Sequence, residues 1–126
     1  PLNFDSQVRN HKEADEQMID VIATMLLADP SIDCLVCFNT GIAARALQAC
    51  HQLGRHVPDD LAIIGYDDNV HAELTIPPLT TLELAIPRQE VGAIAARMLL
   101  QRIEDDKIKQ PDVILEHRLV VRSSAP

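Results

Sequence analysis

Asp67 and Asp68 directly follow the apolar run Leu61 to Tyr66, and Asn39 directly follows a second apolar run, Cys34 to Phe38. In open α/β sheets, ligands bind beyond the carboxyl ends of the strands. If both runs are strands of one parallel sheet, they deliver carboxylates and an amide to the same edge. A carboxylate accepts hydrogen bonds, and an amide both donates and accepts them. Together they suit a neutral polyol such as a sugar. The competing reading is that Asn39 and Asp67 cap a helix and a turn, positions both residue types favour.

Other constellations carry less chemistry. Cys34 and Cys37 have the C-x-x-C spacing of zinc and redox sites. Three residues apart on a strand, however, side chains point to opposite faces, and both are expected as packing residues. The five histidines (His11, His51, His56, His71, His117) show no H-x-x-x-H or H-E-x-x-H spacing, so no metal site is expected. Ser6, Ser31, Ser123 and Ser124 lie outside any G-x-S-x-G elbow. The four glycines write neither G-x-G-x-x-G nor a phosphate loop, which argues against a nucleotide cofactor. A carboxylate pair at a strand end also fits a phosphate-accepting receiver domain. That chemistry needs a lysine at a neighbouring strand end, and Lys12, Lys107 and Lys109 all fall in expected loops or the leading segment.

The elements that must hold Asn39 and Asp67 follow from apolar periodicity. Residues 1–14 are polar and read as an irregular leading segment. Met18, Ile22, Met25 and Leu26 predict a helix from about Asp15 to Ala28, stopped at Asp29-Pro30. Cys34 to Phe38 reads as a strand buried on both faces. Thr40 is placed to cap a helix running to Leu53, with Ile42, Ala46, Cys50 and Leu53 on one stripe and Gly54 at a left-handed C-terminal cap. Leu61 to Tyr66 is the second buried strand. Residues 69–88 are less regular, broken by Pro77-Pro78 and Pro87. Gln89 to Glu104 predicts a helix with Val91, Ile94, Ala95, Met98, Leu99 and Ile103 on its stripe. Asp105 to Asp112 reads as a charged loop, and Val113 to Arg122 as a closing strand. Helices and strands alternating over short connections describe part of a doubly wound α/β sheet.

Composition narrows the class. The 126 residues have a net charge of −8 and are 47% hydrophobic, as expected of one soluble domain. No apolar run approaches the roughly 18–20 residues of a membrane-spanning helix, and no signal peptide is visible. The start at Pro1, without methionine, implies a piece of a longer chain. With 19 acidic residues against 11 scattered bases, direct nucleic-acid contact is not expected. Phe4, Phe38 and Tyr66 are the whole aromatic content, too few for a base-stacking platform. Three cysteines fit a reducing compartment better than a disulfide scaffold.

The run Cys37-Phe38-Asn39-Thr40-Gly41-Ile42-Ala43, followed by Ala46-Leu47 and the block Leu53 to Asp68, resembles the effector-binding region of lactose-repressor-type (LacI/GalR family) transcription regulators. Ile76 to Thr81 and Leu119 to Ser124 fit the same pattern, so the resemblance covers about residues 15–125. It implies an α/β, periplasmic-binding-protein-like (type I) fold with a doubly wound parallel sheet. The fold is partial, mostly the C-terminal lobe plus crossover elements. On that reading, residues 15–81 form the lobe core, 82–112 the crossover strand and helix, and 113–126 the closing strand and tail. Family members couple effector binding between two lobes to operator affinity. The resemblance implies a non-enzymatic, cytoplasmic homodimer that takes a small-molecule effector, with no cofactor, metal or membrane. DNA would be met only through a headpiece absent from this chain. Asn39 and Asp67 would contact the effector, Asp67 accepting from sugar hydroxyls and Asn39 bridging two of them. Phe38 and Tyr66 would wall the pocket or pack beside it. The helix Thr40 to Leu53 and the segment His71 to Pro78 would meet the partner subunit, and the helix from Gln89 would pack on the other lobe.

The chain departs from the family pattern at Thr40, where Asp is usual, and at Arg45, where glycine is common. It is slightly longer around Leu84-Ala85-Ile86, with Leu84 at a position often polar. Nothing matches the headpiece, the hinge helix, the first lobe or the strand that normally supplies an arginine to the effector. Two rivals fit the same residues: a transport-type sugar-binding protein of this fold, and an α/β enzyme using Asp67 or Asp68 as an acid or metal ligand. The second lacks a partner nucleophile, base or phosphate loop.

Overall fold

A computed structural model describes residues 4–67, 70–105 and 112–126. Asp68, Asn69 and most of the charged loop expected at Asp105 to Asp112 lie outside the described residues. In chain order the elements are α1 (Phe4–Ala28), β1 (Cys34–Cys37), α2 (Thr40–Gln52), β2 (Ala62–Tyr66), α3 (Val70–Leu74), β3 (Thr80–Leu84), α4 (Arg88–Glu104) and β4 (His117–Val120). The four strands lie in the order β1-β2-β3-β4. β1 pairs parallel to β2 with Cys37 opposite Gly65, and β2 pairs parallel to β3 with Tyr66 opposite Leu82. Two compact units are present, one formed by residues 1–82 and 119–126, the other by residues 83–118.

In the larger unit α1 and α2 pack on each other, and α2 packs on β1 and β2. Ile19, Ile22 and Leu26 of α1 are buried, with Ala43, Ala46, Leu47, Ala49 and Cys50 of α2 and Leu61 and Ile63 from the second strand region. Small alanines on the inner face of α2 let the helix approach the sheet closely. Gly65 uses that closeness: a Cβ there would lie 3.3 Å from Thr81 Cγ2 and 3.5 Å from Ala43 Cβ and Thr40 Cγ2. α2 ends as expected at Gly54, whose φ of 68° suits glycine. Gly54 N–H donates to His51 O at 3.2 Å and Arg55 N–H to Cys50 O at 2.9 Å, the paired bonds of a Schellman cap.

The structure corrects five expectations. α1 is helical from Phe4, well before Asp15. Its leading half lacks an apolar stripe, so periodicity could not signal it, yet adding turns to a formed helix costs far less than nucleating one. The buried face of α1 carries Ile19, while Met18 and Met25 are about 40% exposed. Cys34 is exposed, and only Cys37 of the pair is buried. β1 is an edge strand among the described residues, with Leu35 and Cys37 turned to the core and Val36 71% exposed. Burial on both faces therefore fails for this strand. The closing strand is His117–Val120, shorter than Val113 to Arg122.

In the smaller unit, α4 forms within one residue of its expected start but buries none of its residues. Leu99, Leu100 and Ile103 are each more than half exposed. Ala85 N–H donates to Glu116 O at 2.9 Å, and Arg118 pairs with Glu83.

Candidate functional site

Asn39 sits where β1 turns into α2. Its extended backbone (φ −155°, ψ 169°) is that of a helix N-cap, and its Oδ1 accepts from Ile42 N–H at 2.8 Å. Asn39, not Thr40, is therefore the cap, and Thr40 is the first helical residue, buried against Gly65. The two readings of Asn39 as cap and as ligand group are compatible. The cap commits Oδ1 to the helix, and the amide nitrogen keeps two N–H donors of its own. Capping also fixes the rotamer, so those donors are presented at a set angle.

Asp67 follows β2 directly. Its φ of 75° lies in the left-handed region, where aspartate is better tolerated than most residues, and its N–H donates to Leu82 O at 2.7 Å. The β1–β2 register ends with Cys37 opposite Gly65, so Asn39 and Asp67 each stand two residues past a paired position at neighbouring carboxyl ends. Phe38 and Tyr66 precede them. Phe38 is 81% exposed and Tyr66 39%, so neither is a core residue of this chain. A cavity of about 430 Å³ lies between α1, α2 and α3, lined by Asp15, Gly41, Arg45, His71 and Leu74 among others. There Arg45 Nε donates to Asp15 Oδ1 at 3.0 Å and its Nη1 to Gly41 O at 2.7 Å.

Sequence reasoning missed the polar residues that are most deeply buried. Thr80, Thr81 and Ser124 are at most 1% exposed and hydrogen-bonded across the larger unit. Two threonines at a strand start look like surface β-branched residues, and Ser124 looks like tail. The one available signal is Arg122, a charged residue directly after the apolar run Leu119 to Val121, whose Nη1 donates to Leu79 O at 2.8 Å and Thr81 Oγ1 at 3.1 Å.

The cysteines do not form a reactive pair. Burial pushes the Cys37 thiol up to about 11, with Cys34 and Cys50 adding to the effect, and burial also raises Cys50. Such thiols stay protonated near neutral pH. Among the described residues no three His, Cys, Asp or Glu side chains gather as a metal site.

Residues 2–125 match the family described as a periplasmic binding protein-like domain. The ribose operon repressor of Halalkalibacterium halodurans is 33% identical over 104 residues, 82% of this chain and 31% of that protein. The arabinose metabolism transcriptional repressor of Geobacillus stearothermophilus is 41% identical over 90 residues, 71% of this chain and 24% of that protein. Among solved structures, the transcriptional regulator CelR–cellobiose complex superposes with a TM-score of 0.75 at 30% identity, covering 88% of this chain and 33% of that one. A LacI family transcriptional regulator from Arthrobacter sp. FB24 in complex with lactose gives a TM-score of 0.69 at 33% identity, covering 89% and 41%. The chain thus spans about a quarter to a third of the length of the curated relatives it matches. With its parallel sheet and its order of elements, the chain belongs to the periplasmic binding protein-like family, in the branch that forms the effector-binding domain of LacI/GalR-type regulators.

Proposed function

We propose that this chain is the C-terminal part of a sugar effector-binding domain in a bacterial, cytoplasmic LacI-type regulator, and that it catalyses no reaction. Residues 15–81 serve as the lobe core, 82–112 as the crossover and 113–126 as the closing strand and tail. The observation that carries the reading is the pairing of Asn39 and Asp67 at adjacent carboxyl ends of a parallel sheet. A sugar hydroxyl donates to the Asp67 carboxylate, and a sugar oxygen accepts from the Asn39 amide N–H, while Phe38 and Tyr66 wall the ring. The relatives solved with cellobiose and lactose support a sugar-class ligand. Their being regulators also favours regulation over transport.

Dimerisation through α2 and residues 71–78 is supported by exposed apolar side chains at that face, with Leu74 72% and Ile76 93% exposed. DNA is met through a headpiece outside this chain, and effector binding shifts operator affinity by linkage. The test is a thermal-shift screen of the full-length protein against sugars, sugar acids and nucleosides. A ligand present at 100 times its Kd adds about 2.7 kcal/mol to the folded state, easily seen as a rise in Tm. Asp67→Ala is expected to abolish the rise and the operator response. A full response in Asp67→Ala sinks the assignment.

A further inference from the structure

Ser124 holds the neighbouring strands β2 and β3 together from a segment that lies far away in sequence. It is fully buried. Its hydroxyl donates to Ile63 O at 2.6 Å and accepts from Thr80 N–H at 2.8 Å. Its backbone repeats the bridge: Ser124 N–H donates to Pro78 O at 3.0 Å, and Ile63 N–H donates to Ser124 O at 2.9 Å. Arg122 adds a second tie, with its N–H donating to Thr80 Oγ1 at 2.7 Å and its guanidinium to Leu79 O and Thr81 Oγ1.

The ladder that these bonds start is short. It runs from Ile64 opposite Thr80 to Tyr66 opposite Leu82 and ends where Leu82 O accepts the N–H of Asp67. Ile63 and Asp67 are four residues apart, about 13 Å along the strand. A ladder this short is set by its two ends. At one end Ser124 fixes where β3 begins, and at the other Leu82 O holds the left-handed backbone of Asp67. We propose that Ser124, assisted by Arg122, is a positioning residue for the Asp67 carboxylate, setting the β2–β3 register on which ligand geometry depends. The inference rests on the reading of Asp67 as the ligand acceptor.

Ser124 suits the task because one hydroxyl both donates and accepts, satisfying Ile63 O and Thr80 N–H together. Alanine would leave both unpaired in a dry site, at a cost that falls on the ladder itself. Arg122→Lys keeps the charge but loses the planar fork that spans Leu79 O and Thr81 Oγ1.

The test uses Ser124→Ala, Arg122→Lys and Asp67→Ala in the full-length protein, with two readouts. Amide hydrogen exchange at Asp67 reports the Leu82 bond without any ligand, and calorimetric titration with cellobiose and with lactose reports binding. Both tie variants are expected to speed exchange at Asp67 beyond any change at Ile22 or Ala46, which a uniform loss of stability would move equally. Sugar affinity is expected to fall about tenfold in Ser124→Ala, the size of one lost hydrogen bond. Unchanged Asp67 exchange in both tie variants overturns the proposal, whether or not either sugar binds. Full sugar affinity in Asp67→Ala overturns instead the reading of Asp67 as ligand acceptor. Loss of affinity in Asp67→Ala with full affinity in both tie variants overturns the positioning role alone.

Discussion

Replacing Asn39 separates its observed duty as helix cap from its proposed duty as sugar donor, because one substitution keeps the acceptor alone and the other keeps neither half of the amide's chemistry. Asn39→Asp retains an oxygen that accepts from Ile42 N–H, now 2.8 Å from Oδ1, but removes the N–H donors. Asn39→Ala removes both. Loss of an N-cap acceptor costs about 1 kcal/mol. An unfolding entropy of about 2.1 cal/mol/K per residue gives this length of chain roughly 0.26 kcal/mol/K. Asn39→Ala should therefore lower Tm by about 4 °C. Asn39→Asp should leave Tm unchanged or raise it slightly, since a carboxylate at a helix N-terminus gains about 0.3–1 kcal/mol from the helix dipole. Sugar binding should fall in both variants, by about tenfold or more for the loss of a directed donor. In Asn39→Asp, stability and affinity thus move in opposite directions, which a general loosening of the fold cannot produce. Differential scanning fluorimetry gives the first quantity and calorimetric titration with cellobiose or lactose the second. A cap that is idle would show as equal Tm values for all three proteins. Wild-type affinity in Asn39→Asp would refute the donor role.

Four further outcomes follow from the backbone and the thiols. With φ at 75°, Asp67→Gly should be about 1 kcal/mol more stable in urea than Asp67→Ala, although both lose the carboxylate proposed to accept from the sugar; equal midpoints would show that the left-handed backbone is not retained in solution. Gly54 has φ 68° and open space around it, so Gly54→Ala should cost about 1 kcal/mol from backbone conformation alone, and Gly54→Asn less; a costlier asparagine would contradict this. Cys34 should react with an aromatic disulfide reagent in the native state, while Cys37 and Cys50 wait for unfolding. Because the folded Cys37 thiol titrates near 11, above its ordinary 9.0, the native state holds the proton that the unfolded chain releases in that interval. Stability should therefore be unaffected by Cys37 below pH 9 and fall as pH rises from about 9 to 11. A Cys37→Ala variant should lack that alkaline component in urea melts, and a persisting one would assign it elsewhere.

Much of this architecture was legible in the residues. Alternating apolar runs, Gly54 at a helix end and the proline breaks at 30 and 77–78 placed two strands and three helices, because burial periodicity and left-handed caps are local requirements. The polar residues after each apolar run, Asn39 and Asp67, stood out because strand ends are where an open sheet meets a ligand. The tertiary structure decided what local pattern cannot encode. Whether an apolar run is covered on one face or two depends on neighbours distant in sequence, so Cys34 and Val36 proved exposed at an edge strand although their residue types match the core. The stripe of α4 formed a helix without burying it, because periodicity specifies a face and not its partner. The buried polar ties of Ser124, Thr80 and Arg122 are the clearest case. Their residues are 42 to 61 positions apart, and only the fold brings a serine that reads as tail between two strands. Hydrogen bonds of that range are fixed by register and packing, which follow from the whole chain rather than from any stretch of it.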